Sequence, residues 1–181
     1  MKRKTVLESR EVETILHRLA DEILKNQGDL SRLSLVGIHT RGVFLAERLR
    51  RIIFDTRFFN ISVGNIDINL YRDDWTRIAH HPEVRGSDIP FSVGGKEIIL
   101  VDDVLYTGRT IRAAMEALMD YGRPDRVALC VLIDRGHREL PIEANYTGKV
   151  IDTGKNESVN VMLTEHDGED RVDILLYNNE L

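Results

Sequence analysis

The chain has 181 residues, 42% hydrophobic and 30% charged, with 25 lysines and arginines against 30 acidic residues and a formal net charge of −5. That length and apolar content suit a single domain, 1–181, with a buried core, and argue against intrinsic disorder. No run approaches the roughly 18 apolar residues of a membrane span, and residues 1–8 lack an apolar signal core. The acidic balance argues against a wholesale nucleic-acid coat but leaves room for a local basic face. The lone cysteine, Cys130, excludes an intramolecular disulfide and fits a cytoplasmic protein.

Val12, Ile15, Leu16, Leu19, Ala20, Ile23 and Leu24 recur at three- and four-residue spacing and predict a first helix, with Ser9 and Gly28 suited to its ends. The apolar run 33–38 predicts a strand that stops at the polar turn His39-Thr40-Arg41-Gly42. Leu45, Leu49, Ile52 and Ile53 then mark a second helix. Residues 61–71 alternate like a strand, but the apolar phase changes between Val63 and Ile66, which predicts a bulge at Gly64-Asn65. The charged stretch 72–91 has no sustained apolar period, and loops of that length are commonly functional lids or disordered. Residues 97–101 predict a buried strand, and Ile111, Ala114, Met115, Leu118 and Met119 form one face of the helix after it, stopped by Gly122 and Pro124. The continuous apolar run 127–133 is of the kind covered on both faces in a parallel sheet. Alternation at Val159, Val161 and Leu163 and the run 172–177 supply the last strands. The strand–helix rhythm predicts an α/β fold: an open, mainly parallel twisted sheet with helices on both faces.

In such sheets ligands bind beyond the carboxyl ends of the strands. The segment Ile98-Ile99-Leu100-Val101-Asp102-Asp103-Val104-Leu105-Tyr106-Thr107-Gly108-Arg109-Thr110 drives a strand into the core, then exposes two adjacent carboxylates and a short loop that runs into a helix. Backbone N–H groups at a helix N-terminus, with two hydroxyls and a glycine, suit a phosphate. Paired carboxylates suit ribose hydroxyls and a divalent cation. A phosphorylated sugar satisfies both ends of the loop.

In order, spacing and strand–loop–helix context, this segment resembles the phosphoribosyl-diphosphate signature of the type I phosphoribosyltransferases. Val36-Gly37-Ile38-His39-Thr40-Arg41-Gly42 resembles that family's diphosphate loop. Residues 67–74, containing Leu70-Tyr71-Arg72-Asp73-Asp74, and Asp134-Arg135-Gly136-His137-Arg138-Glu139-Leu140-Pro141 are similar to the bacterial pyrimidine operon attenuation regulators that also have uracil phosphoribosyltransferase activity. The resemblance runs from the first helix to Tyr177. It implies the type I fold with a small hood and a flexible lid over about 72–91.

The reaction so implied is displacement of diphosphate from C1 of phosphoribosyl diphosphate by N1 of uracil, giving UMP, with Mg²⁺ as cofactor. It needs no protein nucleophile. The transition state resembles an oxocarbenium ion, so positioning and electrostatics are the protein's tools. By resemblance, Asp102 and Asp103 serve the ribose hydroxyls and hold the metal, directly or through water. Val104, Leu105, Tyr106, Thr107, Gly108, Arg109 and Thr110 continue the substrate loop, the last four around the 5′-phosphate. Thr40 and Arg41 meet the diphosphate, and the peptide joining them can be cis. Arg72, grouped with the acids as catalytic, and Arg85 close over the diphosphate from the two ends of the lid. Asp73 and Asp74 either help position metal or are solvated, and His80-His81 lacks a third ligand at sensible spacing. Arg135 reaches the diphosphate or the base. Val159 and Met162 either line the uracil side or belong to strand core. Purine-using relatives carry an acid immediately before Thr-Gly, which manages the imidazole proton. This chain has Tyr106 there, as suits a pyrimidine. A receiver domain also pairs acids at a strand end, but places them after its first strand.

The resemblance also implies a UMP-dependent contact with pyrimidine-operon leader RNA, through a basic face formed in a homodimer or higher homo-oligomer. Arg18, His137, Arg138 and Lys149 retain that character. Asp21 and Glu143 stand where relatives often carry basic residues, and residues 152–157 depart from the relatives' pattern. Acids on such a face oppose phosphate contacts, so RNA binding is expected to be weak beside catalysis.

Overall fold

The structure, a computed structural model, describes residues 2–71, 86–154 and 156–176. After an N-terminal strand, β1 (Lys2–Glu8), come helix α1 (Ser9–Asn26), β2 (Leu33–Ile38), α2 (Arg41–Arg57) and β3 (Ser62–Ile66). Then follow β4 (Glu97–Leu105), α3 (Arg109–Met119), β5 (Arg126–Asp134) and β6 (Tyr146–Val150). The chain closes with β7 (Glu157–Met162), the short helix α4 (Thr164–Asp167) and β8 (Arg171–Leu176). Five strands pair in the order β3-β2-β4-β5-β6, every pair parallel. A separate three-stranded sheet, β1-β8-β7, is antiparallel and forms the expected hood.

The two-residue period of β4 divides the core. Ile98 and Leu100 pack with Ile111, Ala114 and Leu118 of α3, whereas Ile99 and Val101 pack with Leu45 and Leu49 of α2 and Leu16 and Leu19 of α1. Helices therefore cover both faces, which is why β4 and β5 read as continuous apolar runs. α1 is stopped at its start by a capping box. Glu8, rather than Ser9, takes the cap position, and its amide donates to Glu11 Oε2 at 2.9 Å.

Two expectations need correction. No bulge interrupts β3, whose register against β2 runs unbroken from Ser34↔Ser62 to Ile38↔Ile66. The phase change arises because both faces of β3 are covered: Val63 packs against the cluster under α1 and α2, and Ile66 belongs to the cluster under α3. Gly64 is needed for a different reason: a Cβ there would lie 3.0 Å from the Asp88 carbonyl oxygen and 3.2 Å from Ile89 Cα. That close approach lets Asn65 and Asp88 exchange backbone hydrogen bonds of 2.7 and 3.0 Å. Second, β4 does not end at Val101. It continues to Leu105 against β5, so both carboxylates lie within the strand rather than beyond it. Residues 72–85 of the expected lid, with Arg72, Asp73, Asp74, His80, His81 and Arg85, lie outside the described residues.

Candidate active site

β2, β4 and β5 are adjacent and parallel, so their carboxyl ends open onto one edge of the sheet. Two glycines bring the first loop close. A Cβ on Gly42 would fall against the Val101 carbonyl oxygen and 3.2 Å from Asp102 Cα, and one on Gly37 would meet the backbone of Gly42 and Val43. α2 therefore starts directly against the strand that carries the acids. The loop has a cis peptide at His39-Thr40, one residue earlier than the Thr40-Arg41 position expected from resemblance. Peptide isomers leave no trace in side-chain pattern. The His39 amide donates to the Ile66 carbonyl at 3.0 Å, and its Nε2 lies 2.9 Å from Asn65 Oδ1. Arg41 extends to the hood, where Nε and Nη2 donate to the two oxygens of Asp167 at 3.0 and 2.7 Å.

Asp102 is buried, and Asp103 is half-buried beside it. Asp102 Oδ1 accepts the Asp103 amide at 3.0 Å, and Asp103 Oδ1 accepts the Val104 amide at 2.9 Å. Burial pushes the Asp102 carboxyl well above the usual carboxylate range, and the neighbouring Asp103 charge adds to it. Burial raises Asp103 as well, against the opposing pull of the Arg41 guanidinium. The pair is thus short of positive charge and of donors, which hydroxyl groups and a divalent cation would supply. No group of three or more His, Cys, Asp or Glu side chains able to hold a metal occurs among the described residues. Two carboxylates with substrate oxygens and water are nevertheless a donor set that suits Mg²⁺, which seldom takes an all-protein cage.

Beyond the acids, Gly108 adopts φ 91° and caps α3. A Cβ there would be strained and would press on Ile142 and Leu140 at 3.3 and 3.4 Å. Thr107 Oγ1 accepts the Arg109 amide at 3.3 Å, while its carbonyl accepts the amides of Glu139 and Leu140 at 3.0 and 3.1 Å. Arg109 Nε donates to Glu139 at 2.6 Å, which turns that guanidinium toward the 136–142 segment. The first turn of α3 leads with backbone amides that have no intrahelical acceptor, an arrangement that suits an anion.

Tyr106 is partly exposed, and the buried Arg135 guanidinium lies 4.1 Å from its ring centroid. The His137 ring meets Tyr106 edge-on at 6.2 Å. Arg135 Nη2 donates to the Glu157 carbonyl at 2.7 Å, and its buried Nε has no acceptor among the described residues. Val159, two residues further along β7, is half-buried against the larger core cluster. Met162 is half-buried, its sulfur 3.9 Å from Arg171 Nη2.

The basic set is engaged within the chain. Arg18 donates to Glu22 at 2.6 Å and to the carbonyls of Thr147 and Gly148, and Lys149 Nζ lies 3.4 Å from the Val6 carbonyl. Arg138 donates to the carbonyls of Ile142 and Tyr106, both at 2.9 Å, and pairs with Asp134. Glu143 and Asp152 line the same cavity of about 530 Å³ as Arg138. Residues that sequence reasoning missed lie in the hood turn, where Glu165, Asp167 and Asp170 face α2. The available signal was the one-face spacing of Arg41, Phe44 and Arg48.

A phosphoribosyl transferase domain model matches residues 2–164. A "Bifunctional protein PyrR" of Syntrophobacter fumaroxidans is 53% identical over 169 residues, covering 93% of this chain and 91% of that protein. One of Elusimicrobium minutum is 48% identical over 177 residues, covering 98% and 99%. Among solved structures, a hypoxanthine phosphoribosyltransferase from Staphylococcus aureus superposes with a TM-score of 0.69 at 21% identity, covering 98% of this chain and 94% of that one. The chain belongs to the phosphoribosyl transferase family, with the type I fold, and is by class a glycosyltransferase. Within that family it belongs to the bifunctional pyrimidine operon attenuation regulators with uracil phosphoribosyltransferase activity.

Proposed function

We propose that phosphoribosyl diphosphate binds across the three strand ends, with its ribose on Asp102 and Asp103, its 5′-phosphate on residues 107–110 and its diphosphate on the 39–41 loop. The observation that carries this reading is the acid pair, Asp102 buried and Asp103 half-buried, on the strand between the N-terminus of α3 and the Arg41 end of α2. The ribose hydroxyls donate to the carboxylates. As the C1–O bond to diphosphate breaks with its electron pair, the positive charge that grows on the sugar meets a nearby anionic pair. Uracil N1 forms the new bond to C1 and gives up its proton to the departing diphosphate or to water. Asp102 and Asp103 would hold Mg²⁺, directly or through water, and the bound ion would offset negative charge on the diphosphate. The stacked Tyr106 and Arg135 stand on the base side, with no acid at the Tyr106 position to manage a purine imidazole. Arg72 and Arg85 are assigned to the lid. The chain is read as one cytoplasmic domain working as a homodimer or higher homo-oligomer.

The test is incubation with phosphoribosyl diphosphate, Mg²⁺ and each of uracil, orotate, hypoxanthine and guanine. UMP should form from uracil alone at a substantial rate. Equal turnover of hypoxanthine or orotate would overturn the base assignment.

For the regulatory role, Arg18, His137, Arg138 and Lys149 are the proposed RNA contacts. The internal partners of Arg138 and the acids that share its cavity support a low affinity for leader RNA at physiological salt. Filter binding with a pyrimidine-operon leader stem-loop and UMP measures it. Tight, hairpin-selective binding at about 0.15 M salt would refute the low-affinity reading.

A further inference from the structure

Arg41, Phe44 and Arg48 follow one another at three- and four-residue spacing, so they lie on one face of α2. The hood turn 163–170 docks on that face at all three points. Asp167 takes Arg41, the His166 ring stacks on Phe44 with centroids 6.3 Å apart, and Arg48 binds two carboxylates. Arg48 reaches Glu165 at 2.8 and 2.5 Å and Asp170 at 2.6 and 2.7 Å. The turn is also fastened to itself. Asp167 Oδ2 accepts the Leu163 amide at 2.9 Å, and Asp170 Oδ1 accepts the Thr164 amide and hydroxyl at 2.7 and 2.8 Å. Gly168, at φ 82°, ends it. The Asp167 carboxylate is therefore a fixed point on a braced turn rather than a swinging surface acid.

We propose that Asp167 is the positioning residue for Arg41 in diphosphate binding. This rests on the assignment of Arg41 to the diphosphate. A guanidinium carries five donors in a planar fork. Asp167 takes the edge formed by Nε and one proton of Nη2. Nη1 and the outer proton of Nη2 make a second edge of the same bidentate shape, suited to a phosphate. The carboxylate and the diphosphate thus bind adjacent edges of one group and use different protons. Asp167 offsets part of the Arg41 charge, but in exchange it fixes the plane and direction of a side chain that otherwise has many rotamers to lose on binding. A latch, in which Asp167 blocks Arg41 until diphosphate displaces it, would have the opposite sign.

The experiment is calorimetric titration of the full-length wild type, Asp167→Asn, Asp167→Glu and Arg41→Gln with diphosphate plus Mg²⁺, and separately with UMP, which lacks the diphosphate. Steady-state KM values for phosphoribosyl diphosphate and uracil are measured alongside. Asn keeps an acceptor for the Leu163 amide, so the turn is retained. Asp167→Asn should weaken diphosphate binding by about tenfold and raise the KM for phosphoribosyl diphosphate in step, by loss of pre-organisation. UMP affinity and the uracil KM should stay within about twofold, since neither ligand meets the Arg41 fork. Asp167→Glu should recover part of the loss. Unchanged diphosphate affinity in Asp167→Asn, with affinity lost in Arg41→Gln, overturns the positioning role alone. Tighter binding in Asp167→Asn overturns it in favour of the latch. Unchanged diphosphate affinity in Arg41→Gln removes Arg41 from the diphosphate site, and the proposal with it.

Discussion

Replacing Asp170 with asparagine removes one of the two carboxylates that hold Arg48 and so loosens the brace between hood and sheet domain. Arg48 holds the Asp170 carboxyl low, at about 2 against an ordinary 3.8. A depressed native value favours the ionised fold, so its contribution is complete above the ordinary carboxylate range and is lost as pH falls from about 4 toward 2. The displacement of the carboxyl corresponds to at most about 2.4 kcal/mol at neutral pH. The pair is largely covered, with side-chain exposures of 21% and 11% for Arg48 and Asp170. Solvent at its rim still reduces the figure to about 1–2 kcal/mol. For a chain of this length that is a fall in melting temperature of roughly 2–8 °C at pH 7. The gap should be roughly halved by pH 3, because much of the wild-type advantage has by then been protonated away. Thermal unfolding of both proteins by calorimetry across pH 3–7 reads the effect. Equal melting temperatures at pH 7, or a gap that stays constant to pH 3, would refute the reasoning.

Asp102→Asn combined with Asp103→Asn should reduce UMP formation by about a hundredfold or more, measured as initial rate at saturating uracil. Asp102→Asn should not lower the melting temperature at pH 7: burial raises that carboxyl, so ionising it disfavours the fold, and a difference in the mutant's favour should shrink as pH falls and be gone by about pH 4. Gly42→Ala drives a methyl into the Val101 backbone, which cannot move aside without displacing α2 from β4. A loss of about 1–3 kcal/mol in urea unfolding, together with weakened substrate binding, is expected. Burial pushes the Cys130 thiol up to about 12, so a disulfide reagent at pH 8 should label it only as the chain unfolds, with a rate that follows urea concentration. Immediate labelling of the native protein would contradict that placement.

The parallel sheet, its helices and the strand–loop–helix segment 98–110 are legible in the sequence, because each is encoded locally. An apolar run covered on both faces marks β5, a 3.6-residue period marks α1, and the order of acids, hydroxyls and glycine from Asp102 to Thr110 is itself the chemistry of the loop. β1 was not legible, since Lys2–Glu8 is mostly exposed and polar and is held by its antiparallel pairing with β8 at the far end of the chain. Gly64 showed as a break in phase, and only the neighbouring 88–89 segment explains it as a close approach. The acids looked like loop residues because strand length depends on a partner: β4 reaches Leu105 only because β5 runs beside it to Asp134. Arg41, Arg48, Glu165, Asp167 and Asp170 were visible as charges, but not as an assembly. Their partners lie more than a hundred residues apart in sequence, and tertiary packing alone sets which arginine faces which carboxylate.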